Sequence, residues 1–500
     1  MTGTHPIEKA MRRVGAARAR AIGVAAAVGL LASCAVVEQQ GTPVLPVETP
    51  AAAPKTLGAE SPQGAEHKRM IALFGGEYKD PAAERFLNDV LVKLAQASNQ
   101  PGDPYRVTIL NTPIVNAFAL PPSNLYVTRG LLALANDGSE AAAVMAHEIA
   151  HITAKHAVAR AEKERRAALI SQAARVIQSR QKGEEVEASA KLSIASFSRQ
   201  QELEADQIGI KAVAKAGYDP YGAARFLAAL DRSSALRASL IGQNASAERP
   251  DILATHPSTP ERVAQAIAVA RQIGAPGIGT AARDPYLDAV DGMMFGDDPS
   301  DGAIRGRKFL HPRLGFSFTA PDGFTLENSA QAVLGIKAEG VEALRLDSVR
   351  VAATTTLEAY LASGWIDGLL PSTVQPLEVN GMPAAMAEAR AGEWNFRLAV
   401  IRFSPTEVYR LIFATRSLTD EVDARFRASI DSFRRTAPEE FASLKPLRLT
   451  VVTAKDGDTA EALGTRMAVS EHPVETFLLL NGLVKGGALV GGDRYKVVTE

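Results

Sequence analysis

The 500-residue chain is poor in several things at once. It has one cysteine, two tryptophans and 6% aromatic residues overall. A single cysteine excludes an internal disulfide and any zinc site built on two or more thiolates. Charge of either sign is scarce in net terms, with 55 basic against 56 acidic residues. No basic excess draws such a chain to nucleic acid, and no nucleic-acid partner is expected. Long apolar runs are also short: the uncharged stretch Ala21 to Val37 falls below the roughly 20 apolar residues that span a bilayer. What remains, 46% hydrophobic and 22% charged, is ordinary for folded protein. The length predicts roughly two to four domains.

The amino terminus reads as an address. Lys9, Arg12, Arg13, Arg18 and Arg20 precede the apolar run, the order of a secretory signal. Leu31-Ala32-Ser33-Cys34 then resembles the bacterial lipobox, which implies cleavage after residue 33 and lipid on Cys34. Ala35, rather than Asp, after the cysteine implies sorting to the outer membrane by the same resemblance. Several acyl chains on one residue anchor stably. The expected location is therefore the cell envelope, at the periplasmic face of the outer membrane. Residues 34–65, with five prolines among Ala, Gly and Thr, read as an extended tether.

From 66 to 274 the pattern is that of a mainly α domain with a small β-sheet. Phe86, Leu87, Val90, Leu91 and Leu94 recur at helical spacing. Tyr105 to Leu110 and Leu125 to Thr128 are β-rich, and Pro121-Pro122-Ser123-Asn124 signals a turn. Ser139 fits a helix N-cap, with an Ala-rich helix expected through at least Ala161. That helix carries His147-Glu148-Ile149-Ala150-His151. Histidines four apart share a helix face and can reach one zinc ion. Glu148 is poorly placed to bind the metal, but close enough to take a proton from an attacking water. A third protein ligand is needed. Glu202 and Asp206, four apart in Ser198 to Asp206, share a face and are the best candidates, whereas Glu204 points elsewhere. His156, five after His151, falls on a different face and is expected to be structural or exposed.

These motifs together resemble the gluzincin metallopeptidases of the BepA/HtpX type. The resemblance implies that His147, His151 and Glu202 bind one zinc ion and that Glu148 is catalytic. It implies that Asp206 orients a zinc histidine. Asn116-Ala117-Phe118 look like the family's edge strand, which adds substrate backbone to the sheet. Pro122-Ser123-Asn124 departs from the Gly-Gly often found in that turn. Thr255-His256-Pro257 through Arg262 looks like a segment whose histidine can approach the zinc and hold the enzyme quiet, with the arginine nearby. Its bland reading is a helix start, with Thr259 as N-cap and Pro260 in the first turn.

Residues 275–308, rich in Gly, Pro and Asp, are expected to be a linker. Residues 309–436 alternate short β-rich runs with helical patches near 354–364 and 419–433, an α+β domain of unassigned role. Trp365 and Trp394 are expected in its core. Residues 445–500 read as a small β-α-α-β unit, with Asp456-Gly457-Asp458-Thr459 after its first strand and Asn481-Gly482 after its second helix. That order resembles a LysM module, which implies binding to the glycan of peptidoglycan. The leading expectation is a lipid-anchored zinc metalloendopeptidase acting on unfolded or misassembled envelope and outer-membrane proteins. The alternative is an envelope scaffold or chaperone-like lipoprotein that binds peptidoglycan and carries a latent zincin domain.

Overall fold

The computed structural model describes residues 62–98, 105–120, 123–160, 162, 198–241, 252, 256–328, 332–337, 341–441, 444–469 and 471–500. The signal at 1–33, Cys34 and nearly all of the tether lie outside them. Among the described residues, no helix is long and apolar enough to cross a membrane. The chain divides into two units. One comprises 61–236, 246–298 and 446–500; the other contains 237–245 and 299–445.

The first unit begins with helices α1 (Pro62–Leu73) and α2 (Pro81–Ala97). Asp80 caps α2 by accepting the Ala82 and Ala83 amides, and Pro81 occupies the first helical position, where no amide is needed. The expected apolar stripe of α2 is buried, including Leu87, Val90, Leu91 and Leu94. Strands β1 (Arg106–Leu110), β2 (Ala117–Leu120) and β3 (Asn124–Thr128) form a sheet in the order β1-β3-β2. β1 lies parallel to β3, while β2 is antiparallel to it and forms an edge. A short helix, α3 (Arg129–Leu134), leads to α4 (Gly138–Thr153).

Every residue of α4 from Gly138 to His151 is buried, which its run of alanines permits by letting neighbours approach on all sides. Its cap is Asp137, not the expected Ser139. The Asp137 carboxylate accepts the Glu140 amide and also the Ser139 hydroxyl, at 2.6 Å. The helix also ends earlier than expected. Lys155 takes a left-handed φ of 57°, which breaks the run after Thr153 and re-aims the chain at His156. The chain is helical again over 156–160, and α5 (Arg199–Lys215), α6 (Gly222–Ile241) and α7 (Pro260–Ile273) are among the helices that follow. Ser198 and Gln201 form a capping box on α5, and Thr259 with Pro260 starts α7 as expected.

The stretch 275–308 is more structured than a linker. It contains helix α8 (Arg283–Val290) and strand β4 (Met294–Phe295). The second unit then begins with β5 (Ala303–Arg305), β6 (Lys308–His311) and β7 (Phe316–Thr319), earlier than the expected boundary at 309. Strands β8 (Phe324–Asn328), β9 (Val333–Lys337), β10 (Glu342–Arg350), β11 (Leu369–Val379), β12 (Met382–Ala391), β13 (Trp394–Arg402) and β14 (Glu407–Thr415) build an antiparallel sheet in the order β11-β12-β13-β14-β10-β9-β8. Helix α9 (Leu357–Leu361) packs into the core on one face with Trp365 and Trp394. Helix α10 (Asp420–Asp431) supplies Phe426 and Ile430 to the core on the other.

The C-terminal segment follows the expected order: β15 (Leu447–Thr453), α11 (Ala460–Thr465), α12 (Pro473–Leu480) and β16 (Arg494–Thr499). It is not packed on itself alone. β15 pairs with both β16 and β4. Leu449, Phe477, Leu480 and Val498 belong to the same hydrophobic cluster as Leu132, Tyr286 and Met293. Lys496 is buried, and its ammonium donates to the Ala133 and Ala135 carbonyls at 2.7 and 2.5 Å. Arg283 donates to the Asn136 and Arg494 carbonyls. These bonds tie the segment to the turn that launches α4.

Candidate metal centre

Helix α4 carries His147, Glu148 and His151 in its buried stretch. Helix α5 crosses it closely because Gly209 has no side chain. A Cβ there would sit 3.1 Å from the His147 amide nitrogen. Glu202 and Asp206 lie seven and three residues before Gly209, so the same close face turns both carboxylates toward His147. The loop before α7 brings His256, whose amide donates to the Ile252 carbonyl at 2.7 Å.

Four side chains converge. Ligand atoms of His147, His151, Glu202 and His256 all lie within 4.8 Å of one another, and all four residues are buried. His147 Nε2 is 3.0 Å from His151 Nε2, 3.3 Å from His256 Nδ1 and 3.5 Å from Glu202 Oε2. Glu202 Oε1 is 3.4 Å from His151 Nε2 and 3.0 Å from His256 Nδ1. Tetrahedral zinc with bonds near 2.0–2.1 Å spaces its ligands by about 3.4 Å, close to these separations, with one or the other Glu202 oxygen turned to each histidine. The charge fits as well. Among the described residues, Arg262 is the guanidinium that Glu202, Asp206 and, at longer range, Glu148 face at this buried cluster. Burial opposes charge on His147, but hydrogen bonding to Asp206 and Glu202 raises its pKa to about 10, so the carboxylates draw a positive charge here that a dication would supply in place of the proton.

The surrounding groups fix the donors. Asp206 Oδ1 is 3.0 Å from His147 Nδ1, the ring atom turned away from the cluster. Arg262 grips Asp206 with two hydrogen bonds of 2.8 Å, lies 2.8 Å from Glu202 Oε2 and donates to the Pro257 carbonyl. Burial works against ionisation of Asp206, but Arg262 and His147 hold its pKa below the usual value. Glu202 is likewise lowered against burial, by hydrogen bonds from His147 and His256. His151 is driven toward its neutral form by burial and by the neighbouring His147 and His256, which suits a metal ligand. Glu148 differs from these carboxylates. Burial raises its pKa, and among the described residues its Oε1 accepts no hydrogen bond, lying 3.6 Å from His256 Nε2.

The expected edge strand also lies beside this helix. Asn116 and Ala117 are buried, while Phe118 is half-buried and stacks on Tyr126 at 4.8 Å. Val115, just before β2, accepts the Ile252 amide at 3.0 Å. The segment that delivers His256 thus already engages the backbone next to that edge. An apolar lining of Val144, Phe226, Leu227, Leu230 and Ile252 adjoins His147 and His256.

Two residues escaped the sequence reading. Gly209 carries no motif that marks a close helix crossing. His156 was expected away from the site, yet it is 4% exposed and its Nδ1 lies 3.0 Å from His151 Nδ1. The reversal at Lys155 explains the difference, because the spacing argument assumed an unbroken helix.

A buried helix bearing His-Glu-x-x-His, joined by a glutamate from a second helix, is the arrangement found in zincin-type metallopeptidases. Residues 81–270 match the model of Peptidase family M48. The chain is 28% identical over 249 residues to the beta-barrel assembly-enhancing protease of Escherichia coli (strain K12), covering 48% of this chain and 49% of that protein. The protein of the same name in Yersinia pestis is 28% identical over 268 residues, covering 51% and 53%. The mitochondrial metalloendopeptidase OMA1 of Arabidopsis thaliana is 33% identical over 169 residues, covering 34% and 32%. The chain spans about half the length of the first of these relatives.

Proposed function

We propose that this chain is a zinc-dependent metalloendopeptidase of the bacterial cell envelope, hydrolysing peptide bonds of misfolded or stalled envelope proteins, outer-membrane proteins among them. The observation that carries the proposal is the buried convergence of His147, His151, Glu202 and His256 on the helix that also holds Glu148. His147, His151 and Glu202 would hold a zinc ion there, which would supply Lewis-acid polarisation of a carbonyl and acidify a water. Glu148, buried and with one oxygen unbonded, takes the proton of the attacking water and passes it to the leaving amine. Asp206 and Arg262 hold His147 and Glu202 in register. The edge made by Ala117 and Phe118 of β2, with Asn116 just before it, aligns substrate backbone by strand addition. The names of the E. coli and Y. pestis relatives favour β-barrel proteins as substrates.

The resting site is closed. Catalytic zinc sites keep one position open, whereas His256 supplies a fourth protein donor. Cleavage therefore requires His256 to withdraw. Lipid on Cys34 anchors the chain to the periplasmic face of the outer membrane, residues 34–65 space the domains from it, and residues 445–500 bind peptidoglycan. The closed site also suits the second reading, a peptidoglycan-bound scaffold with a latent zincin domain.

The test uses the purified full chain and its His256→Ala form, incubated with an unfolded β-barrel protein with and without chelator. Cleavage that stops on chelation, and in Glu148→Gln with zinc retained, supports the peptidase. Intact substrate with both zinc-loaded proteins refutes it and favours the scaffold. Co-sedimentation with isolated peptidoglycan tests the C-terminal assignment separately.

A further inference from the structure

The two histidines of α4 are held differently. His147 turns Nε2 toward the other donors and Nδ1 toward the Asp206 carboxylate at 3.0 Å. His151 also turns Nε2 inward, 3.0 Å from His147 Nε2 and 3.4 Å from Glu202 Oε1. Its Nδ1 meets His156 Nδ1, at 3.0 Å, with the rings 4.9 Å apart and inclined at 75°. On its far side, His156 Nε2 lies 3.4 Å from Glu204 Oε2. His156 is buried, while the Glu204 side chain is 54% exposed.

Proton positions follow from the metal role. A neutral imidazole binds metal through the nitrogen that carries no hydrogen. If Nε2 of His151 is the ligand, its proton sits on Nδ1 and points at His156 Nδ1. That atom must then accept, so the His156 proton sits on Nε2 and points at Glu204. Every contact in the row then has one donor and one acceptor. The opposite choice at His156 sets two N–H groups against each other at 3.0 Å.

We infer that His156, backed by Glu204, is the positioning residue for His151, fixing its tautomer and ring angle as Asp206 does for His147. The inference rests on the zinc reading and extends it. It also gives a use to two features without one: the left-handed Lys155, which turns His156 under His151, and Glu204, which leaves the face of Glu202 and Asp206. Groups of this kind commonly change metal affinity by about 10- to 100-fold when removed.

The experiment measures zinc affinity of the full chain by competition with a chromophoric chelator, with circular dichroism of the metal-free forms as the folding control. His156→Leu keeps bulk but removes the acceptor, and zinc binding should weaken about 10- to 100-fold. His156→Asn puts its Oδ1 where Nδ1 stood, and should stay within about threefold of the parent. Leucine binding as tightly as histidine, or asparagine as weakly as leucine, overturns the inference. If the parent itself binds no zinc, the zinc reading falls first and takes this one with it. Should His156→Leu fail to fold, nitrogen-15 imidazole spectra of the zinc-loaded parent decide. A hydrogen on His151 Nδ1 and on His156 Nε2 supports the relay, and a hydrogen on His156 Nδ1 refutes it.

Discussion

Phe477→Ala tests whether the C-terminal segment is a separable module or part of the peptidase unit. Phe477 is 0% exposed and sits in the hydrophobic cluster that includes Leu132, Tyr286 and Met293. Its helix, α12, packs against α3, the element just before the turn into α4. Truncating a fully buried phenylalanine to alanine costs about 3–5 kcal/mol. In a domain of this size each kcal/mol moves the midpoint by about 2–4 °C, so a drop of roughly 6–20 °C is expected. Loosening α12 and β16 also withdraws Lys496 from the Ala133 and Ala135 carbonyls, which are then left without their buried donor. Each such orphaned group costs about 1–3 kcal/mol. The assay is calorimetry of the full chain, run alongside zinc release into a fluorescent chelator. With one shared core, the lowered transition and zinc release move down together. An early, separate transition that leaves zinc release at the parent temperature would refute the shared core.

Other outcomes follow from the same geometry. Gly209→Val forces α5 away from the His147 backbone, at an overpacking cost of about 1–3 kcal/mol, and zinc titration should find affinity lowered about tenfold or more. His256→Ala should retain zinc on three protein donors and raise the initial rate of substrate cleavage, read by gel densitometry. An unchanged rate would mean that His256 does not gate the site. Stability should vary with pH through Glu140, whose carboxyl is raised from 4.5 to about 7 by burial and by Asp137. The folded chain then keeps a proton that the unfolded chain releases, so stability falls as pH rises from about 4.5 to 7, by about 3 kcal/mol. Urea midpoints between pH 5 and 7.5 should show this slope in the parent and lose most of it in Glu140→Gln.

What could be read from the sequence was whatever a fixed local geometry determines. The i,i+4 pairs His147/His151 and Glu202/Asp206 needed only a helix to share a face, and α4 and α5 supply it. The Thr259-Pro260 start of α7 was equally local. His256 came through resemblance, since nothing near it in sequence points to a partner more than fifty residues away. His156 was hidden by one backbone angle: Lys155 is no habitual left-handed residue, so no composition signal warned that α4 stops. Helix α8 was hidden differently. Its N-cap is Ala282, left-handed and with no side-chain cap bond, set among the Gly, Pro and Asp that suggested a linker. The shared core was out of reach for a further reason. Alternation in Leu449 to Val452 says that a face is buried, but not against which partner.

X-ray absorption at the zinc edge, on full-length protein and its His256→Ala form, tests the proposed zinc held by His147, His151, Glu202 and His256. One zinc per chain is expected, with four nitrogen or oxygen neighbours near 2.0–2.1 Å, three of them imidazoles, falling to two imidazoles in the variant. Protein purified without stoichiometric zinc, or an imidazole count that His256→Ala leaves unchanged, would contradict it.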